Sequence, residues 1–142
     1  MAIAYKQALT RRELKSAFNV RQAVFTIEQR IPPEADIDDK DKDAVHLIAV
    51  KDGKIVGTLR VFREGDDAVI GRMAVLKEDR EKGVGTNLMK LAIKKSKEMG
   101  ARYAVAGAQV RACAFYEKMG FKKTKHTYVE VGIPHIEMKL KL

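Results

Sequence analysis

Apolar positions along the chain recur at helical spacing in three stretches and alternate with polar positions in most of the rest. The first stretch holds Leu14, Phe18, Val24, Phe25 and Ile27. Thr10-Arg11-Arg12-Glu13 precedes it, a hydroxyl followed three residues on by a carboxylate, which is the form of a capping box. A helix is predicted over about 11–29, and Pro32-Pro33 forbids its continuation. The acidic stretch up to Asp43 reads as a loop. Three strands follow: His46–Val50, Ile55–Phe62 and Ala68–Val75. Asp52-Gly53 and the Glu64–Asp67 turn join them, so they are expected to be antiparallel neighbours. Leu88, Met89, Leu91, Ala92, Ile93 and Met99 mark a helix over about 84–99 closed by Gly100. A short strand over 103–106 comes next. Ala112, Phe115, Tyr116 and Met119 then form a further helical stripe, ended by Gly120. Two strands, 121–131 and 135–142, complete the chain. In the last, Ile136, Met138, Leu140 and Leu142 alternate with Glu137, Lys139 and Lys141, giving one dry and one wet face.

The elements predict a mixed α/β domain spanning 1–142. Strand 68–75, the long helix and strand 103–106 form a β-α-β unit with parallel strands and a right-handed crossover. At 142 residues, 46% of them hydrophobic and 33% charged, the chain suits one core. No run approaches the ~20 apolar residues that a membrane-spanning helix requires. Lys6 and Gln7 interrupt the stretch where an export signal would be unbroken. The single cysteine, Cys113, can form neither an internal disulfide nor a cysteine zinc site; it reads as a packing residue. A cytoplasmic protein with no membrane partner and no metal is expected. The formal charge of +9 attracts phosphates in general. The basic residues are scattered, however, and no nucleic-acid motif accompanies them, so no nucleic-acid partner is expected.

Arg80-Glu81-Lys82-Gly83-Val84-Gly85-Thr86 follows a strand and opens a helix. The first turn of a helix leaves four N–H groups unpartnered and partly positive, so an anion docked there receives them directly. Gly83 and Gly85 remove side chains that would hold a phosphate away, and Arg80 and Lys82 add full charges at the mouth. A P-loop would need Lys after Gly85, and a dinucleotide fingerprint would need a small residue at Leu88. Neither nucleotide reading fits.

The pattern Arg/Gln-x-x-Gly-x-Gly/Ala between a strand and a helix resembles the coenzyme A pyrophosphate signature of the GNAT superfamily of N-acetyltransferases. Arg80, Gly83 and Gly85 fit its fixed positions. A second GNAT-like motif is Ala112-Cys-Ala-Phe115-Tyr116-Glu117-Lys118-Met119-Gly120-Phe121. Glu28-Gln29, Gly57-x-Leu59-Arg60-Val61, Gly71-Arg72-x-Ala74-Val75, Ala108-Gln109 and Gly132–Ile136 resemble the ElaA/YjcF-like branch in particular.

The resemblance implies the acyl-CoA N-acyltransferase fold, a central, mostly antiparallel sheet with a V-shaped splay between strands 68–75 and 103–106. It implies acetyl-CoA as co-substrate and a small-molecule or peptide amine as acceptor, in a monomer or homodimer. The pantetheine arm is expected along Met73, Ala74 and Val75. The pyrophosphate is expected on the N–H groups of Lys82, Gly83, Val84, Gly85 and Thr86, with Gln109, Phe115 and Tyr116 facing the thioester. Tyr116 is the general acid by family analogy, since a phenol stays protonated at neutral pH and can donate to a leaving thiolate. An N–H of the third strand, that of Val75, is the expected oxyanion donor. The base is left open among Glu28, His135, His46, Glu130 and a water relay, with Glu28 and His135 ranked first. Arg60 and Arg72 either bind an anionic acceptor or pair with the acidic loop. A catalytically silent CoA-binding domain is the alternative function.

Overall fold

The computed structural model describes residues 2–142. Its seven strands are β1 (Ile3–Gln7), β2 (Val45–Lys51), β3 (Lys54–Glu64), β4 (Asp67–Val75), β5 (Tyr103–Gln109), β6 (Lys122–Glu130) and β7 (Ile133–Lys141). They form one sheet in the order β1-β2-β3-β4-β5-β7-β6. Every neighbouring pair is antiparallel except β4 and β5. The helices are α1 (Arg11–Arg21), the single turn α2 (Pro33–Asp36), α3 (Val84–Glu98) and α4 (Cys113–Lys118). None of the described helices is long and apolar enough to cross a membrane.

The capping box forms as its sequence dictates. Glu13 N donates to Thr10 Oγ1 at 3.1 Å, and Thr10 N donates to Glu13 Oε1 at 3.1 Å. The predicted helix over 11–29 is α-helical only to Arg21. From Gln22 to Glu28 the chain widens into a π-helix, with Gln29 N bonding Val24 O five residues back. The widening keeps Val20 and Val24 both buried against Ala74 of β4.

β1 escaped the hydrophobic pattern. It is a short edge strand with no fully buried residue, held by its register against Leu47–Lys51 of β2. The strand predicted at 103–106 runs on to Gln109, because β7 pairs with it along its whole length, Gln109 opposite His135. Inside the predicted 32–43 loop, Pro33 opens the one-turn α2.

α3 lies on the sheet where Leu88, Met89 and Ala92 meet Leu47, Leu59, Val61 and Ile70, all 2% exposed or less. Gly57 of β3 allows that approach. A Cβ built there would lie 2.8 Å from Val84 Cγ1 and 3.2 Å from Leu88 Cδ1. Gly57→Val should therefore destabilise the protein by about 1–3 kcal/mol through overpacking. An unchanged urea midpoint would show instead that α3 lifts from the sheet without cost.

Two irregularities shape the centre of the sheet. Thr58 faces Ala74 and Arg60 faces Gly71, so two residues of β4, Arg72 and Met73, oppose the single Leu59. This is a β-bulge, and Arg72 takes a left-handed φ of 51° within it. The β4–β5 ladder covers only Asp67–Ile70 against Tyr103–Ala106. Beyond Ile70 and Ala106 each strand follows its other neighbour and the two part, the splay that the family resemblance implied.

Candidate active site

Two hollows meet where β4 and β5 part. The first, about 370 Å³, runs between the end of β4 and the start of α3. The second, about 380 Å³, lies between the diverging strands, the π-helix and the β6–β7 hairpin. Gln29, Met73 and Phe115 line both.

The first hollow ends on the loop before α3. Gly83 is the N-cap of α3 at φ 80°, a conformation that suits glycine, and no side chain caps the helix. The N–H groups of its first turn are therefore left to the hollow. Asp79, buried at the base of the loop, accepts from Lys51 Nζ at 2.9 Å and lies 3.6 Å from Lys82 Nζ. The Lys51 ammonium holds its carboxyl below the ordinary value. Arg80 donates Nε to Val75 O at 2.9 Å, and its two outer nitrogens grip the Glu28 carboxylate at 2.6 and 2.7 Å.

In the second hollow Tyr116 is held by the edges of Phe115 and Phe121, with ring centroids 5.2 and 5.8 Å away. No side-chain hydrogen bond engages its hydroxyl among the described residues. Burial pushes its pKa up to about 12. Across the hollow the His135 ring stacks on Tyr128 at 5.3 Å and 14°. His135 Nδ1 lies 2.7 Å from the Ile133 carbonyl. A carbonyl only accepts, so Nδ1 carries the proton and a neutral ring keeps its lone pair on Nε2. The Tyr128 hydroxyl rests against Gly107, where β5 has no side chain to exclude it.

The remaining wall is a buried ionic network. Arg21, 1% exposed, donates to Asp41 Oδ1 at 2.7 Å and to the Asp36 carbonyl at 2.8 Å. Arg60 donates to Asp38 at 2.6 Å and Asp41 at 2.9 Å, and Arg72 donates to the Asp36 carbonyl at 2.9 Å. Burial alone would raise the Asp41 carboxyl. Hydrogen bonds from Arg21 and the Asp38 main chain outweigh it and hold the pKa at about 2. The 36–41 segment is thereby clamped against β3 and β4.

The acetyltransferase (GNAT) domain model matches residues 7–142. The chain belongs to the GNAT acetyltransferase family. This GNAT chain is 35% identical over 127 residues to the uncharacterized N-acetyltransferase YjcF of Bacillus subtilis, covering 89% of this chain and 91% of YjcF. It is 33% identical over 131 residues to Escherichia coli ElaA, covering 89% and 86%. The crystal structure of ElaA matches with a TM-score of 0.88 at 29% identity, over 99% of this chain and all of ElaA. That of an acyl-CoA N-acyltransferase from Pseudomonas aeruginosa matches with a TM-score of 0.84 at 27% identity, over 97% of this chain and 99% of that one. The resemblance to the ElaA/YjcF-like branch and the expected fold are thus borne out, and the protein is a GNAT-type acetyltransferase.

Met73, Ala74, Val75, Arg80, Gly83, Val84, Gly85, Thr86 and Phe115 of this GNAT chain line the first hollow. Gln109, Tyr116 and His135 line the second. Lys82 lines neither, drawn instead toward Asp79. Glu28 is not brought to either lining; Arg80 occupies both its oxygens and lowers its pKa. A carboxylate so paired is a weakened base. His46 is buried beside Phe18 with Nε2 2.9 Å from the Asp41 carbonyl, outside both hollows. Arg60 and Arg72 pair with the acidic loop, the second of the two roles the sequence allowed. Cys113 is buried in the main core.

Tyr128 and Asp36 border the second hollow without having been singled out, and Gln29, noted only as part of the branch resemblance, borders it too. Tyr128 lies on a strand whose residues are mostly exposed. Its only sequence signal is aromatic character two residues before Glu130. Among the described residues no group of three or more His, Cys, Asp or Glu side chains is placed to hold a metal ion.

Proposed function

We propose that this GNAT enzyme moves an acetyl group from acetyl-CoA to a primary amine, on a small molecule or a peptide, by direct transfer. The observation that carries the reading is the meeting of the two hollows at Gln29, Met73 and Phe115, with a phosphate cradle at the far end of one and an unengaged phenol in the other. The residues present fit a CoA thioester. Uncapped N–H groups of Val84, Gly85 and Thr86 suit the diphosphate. The outer edge of β4, released from β5 beyond Ile70, offers main-chain groups of Met73, Ala74 and Val75 to the amides of the pantetheine arm.

The amine enters from the second hollow and must be neutral to attack. His135 Nε2 accepts its proton, in place of Glu28, whose carboxylate Arg80 engages. The Val75 N–H stabilises the tetrahedral oxyanion. Tyr116 donates toward the departing sulfur. Holding both reactants in line supplies most of the acceleration, roughly 7–11 kcal/mol where alignment is good.

Titration calorimetry with CoA, followed by a panel of amines assayed for thiol release from acetyl-CoA, tests the reading. Heat of binding and amine-dependent thiol release are expected. Binding without turnover on any amine would favour a silent CoA-binding domain, and no binding would remove the cradle from the argument.

A further inference from the structure

The loop before α3 offers two cations to a diphosphate, and both already have carboxylate partners. Lys82 leans to Asp79, which Lys51 also engages. Arg80 is held more firmly. Its Nε is fixed to the Val75 carbonyl, and both outer nitrogens meet the two oxygens of Glu28 end-on. Arg80 is nonetheless the guanidinium that lines the first hollow beside Gly83, Gly85 and Thr86. Glu28 closes the π-helix, and the next residue, Gln29, lines both hollows. Both partners of the pair are more than a third exposed, so the pair is exchangeable rather than locked.

We propose that Glu28 is a positioning residue that competes with the cofactor diphosphate for Arg80. The inference rests on the reading of the first hollow as the CoA site. With its fork on Glu28, Arg80 presents no net charge to an incoming phosphate. Cofactor binding draws the guanidinium off Glu28 while the Nε bond to Val75 keeps it anchored. Departure of the cofactor returns it. Glu28 thus weakens CoA binding and speeds release of the CoA product, at the cost of none of the contacts made by the pantetheine arm.

The test compares acetyl-CoA with S-acetylpantetheine, which has the same thioester arm and no diphosphate. Glu28→Gln removes the negative charge and keeps the side-chain shape. It should tighten CoA in calorimetry and lower KM for acetyl-CoA by about fivefold, the scale of one exposed ion pair. KM for S-acetylpantetheine should stay unchanged. In an Arg80→Gln background the same Glu28 substitution should do nothing, because the two residues act as one unit. A purely structural Glu28 would instead shift both thioesters together. Weaker CoA binding in Glu28→Gln, an equal change for both thioesters, or an effect that persists without Arg80 would each overturn the proposal. If the wild type binds no CoA at all, the functional reading fails and this inference fails with it. Wild-type binding with an unmoved Glu28→Gln affinity defeats the inference alone.

Discussion

Tyr116→Phe is expected to lower kcat by at least about 100-fold, the lower range for loss of a general acid, while leaving KM for acetyl-CoA and CoA affinity unchanged. The structure makes this a clean substitution. The ring is held by the edges of Phe115 and Phe121, contacts that phenylalanine keeps. The hydroxyl has no side-chain partner among the described residues, so its removal strands no donor or acceptor and stability should hardly change. The pH dependence has a definite sign. Burial raises the Tyr116 pKa from 10.0 to about 12, so the phenol keeps its proton throughout the neutral and mildly alkaline range. The rate should climb with pH as the amine acceptor loses its proton, and Tyr116 should impose no falling limb before pH 10. The same shift makes folded stability complete below pH 10 as far as this group is concerned, and erodes it as pH rises toward about 12. An unaltered kcat in Tyr116→Phe would take the residue out of the reaction.

Arg21→Met should cost about 3–5 kcal/mol of stability, the largest loss expected from a single side chain outside the main core. Arg21 is 1% exposed, and Asp36 and Asp41 are 5% and 8% exposed. Truncation leaves both carboxylates buried with a partner gone. Lysine should not rescue it, since one ammonium cannot reproduce the forked contacts to Asp41 and to the Asp36 carbonyl. Here too pH gives a signed check. Asp41 has its pKa depressed from 3.8 to about 2, so its contribution is present above pH 4 and lost as pH falls through about 2. The deficit of Arg21→Met measured by urea unfolding should be full at neutral pH and shrink toward pH 3. A deficit that is flat across that range would mean that lost packing, rather than stranded charge, is what the substitution costs. Because Asp36, which Arg21 holds, lines the second hollow, a folded Arg21→Met population should also bind the amine acceptor poorly, with KM for acetyl-CoA less affected.

The elements that could be read from the chain are those whose cause lies within a few residues. Thr10 and Glu13 cap α1 across three residues, Gly83 turns the loop at a positive φ, and the alternation of Ile136, Met138 and Leu140 sets one face of β7. The Phe115-Tyr116 stripe and the loop from Arg80 to Thr86, apart from Lys82, carry their residues in local order, and both border the hollows. Four features were not legible: the π-helix after Arg21, the bulge at Arg72, the edge strand β1, and the reach of Tyr128 across β7 to Gly107. Each depends on register against a distant segment, and register is a property of pairs of strands.

Partner choice among charges was likewise hidden. Glu28 and Arg80 stand 52 residues apart, and Arg21 and Asp41 stand 20 apart. A carboxylate read alone is a candidate base; with a guanidinium against both oxygens it is a counter-ion. Local order along the chain thus specified the family to which the protein belongs and the residues proposed for the cradle and the acid. Folding alone assigned each charge its partner, because ion pairs form wherever burial brings opposite charges within reach, and no spacing in the chain encodes that distance.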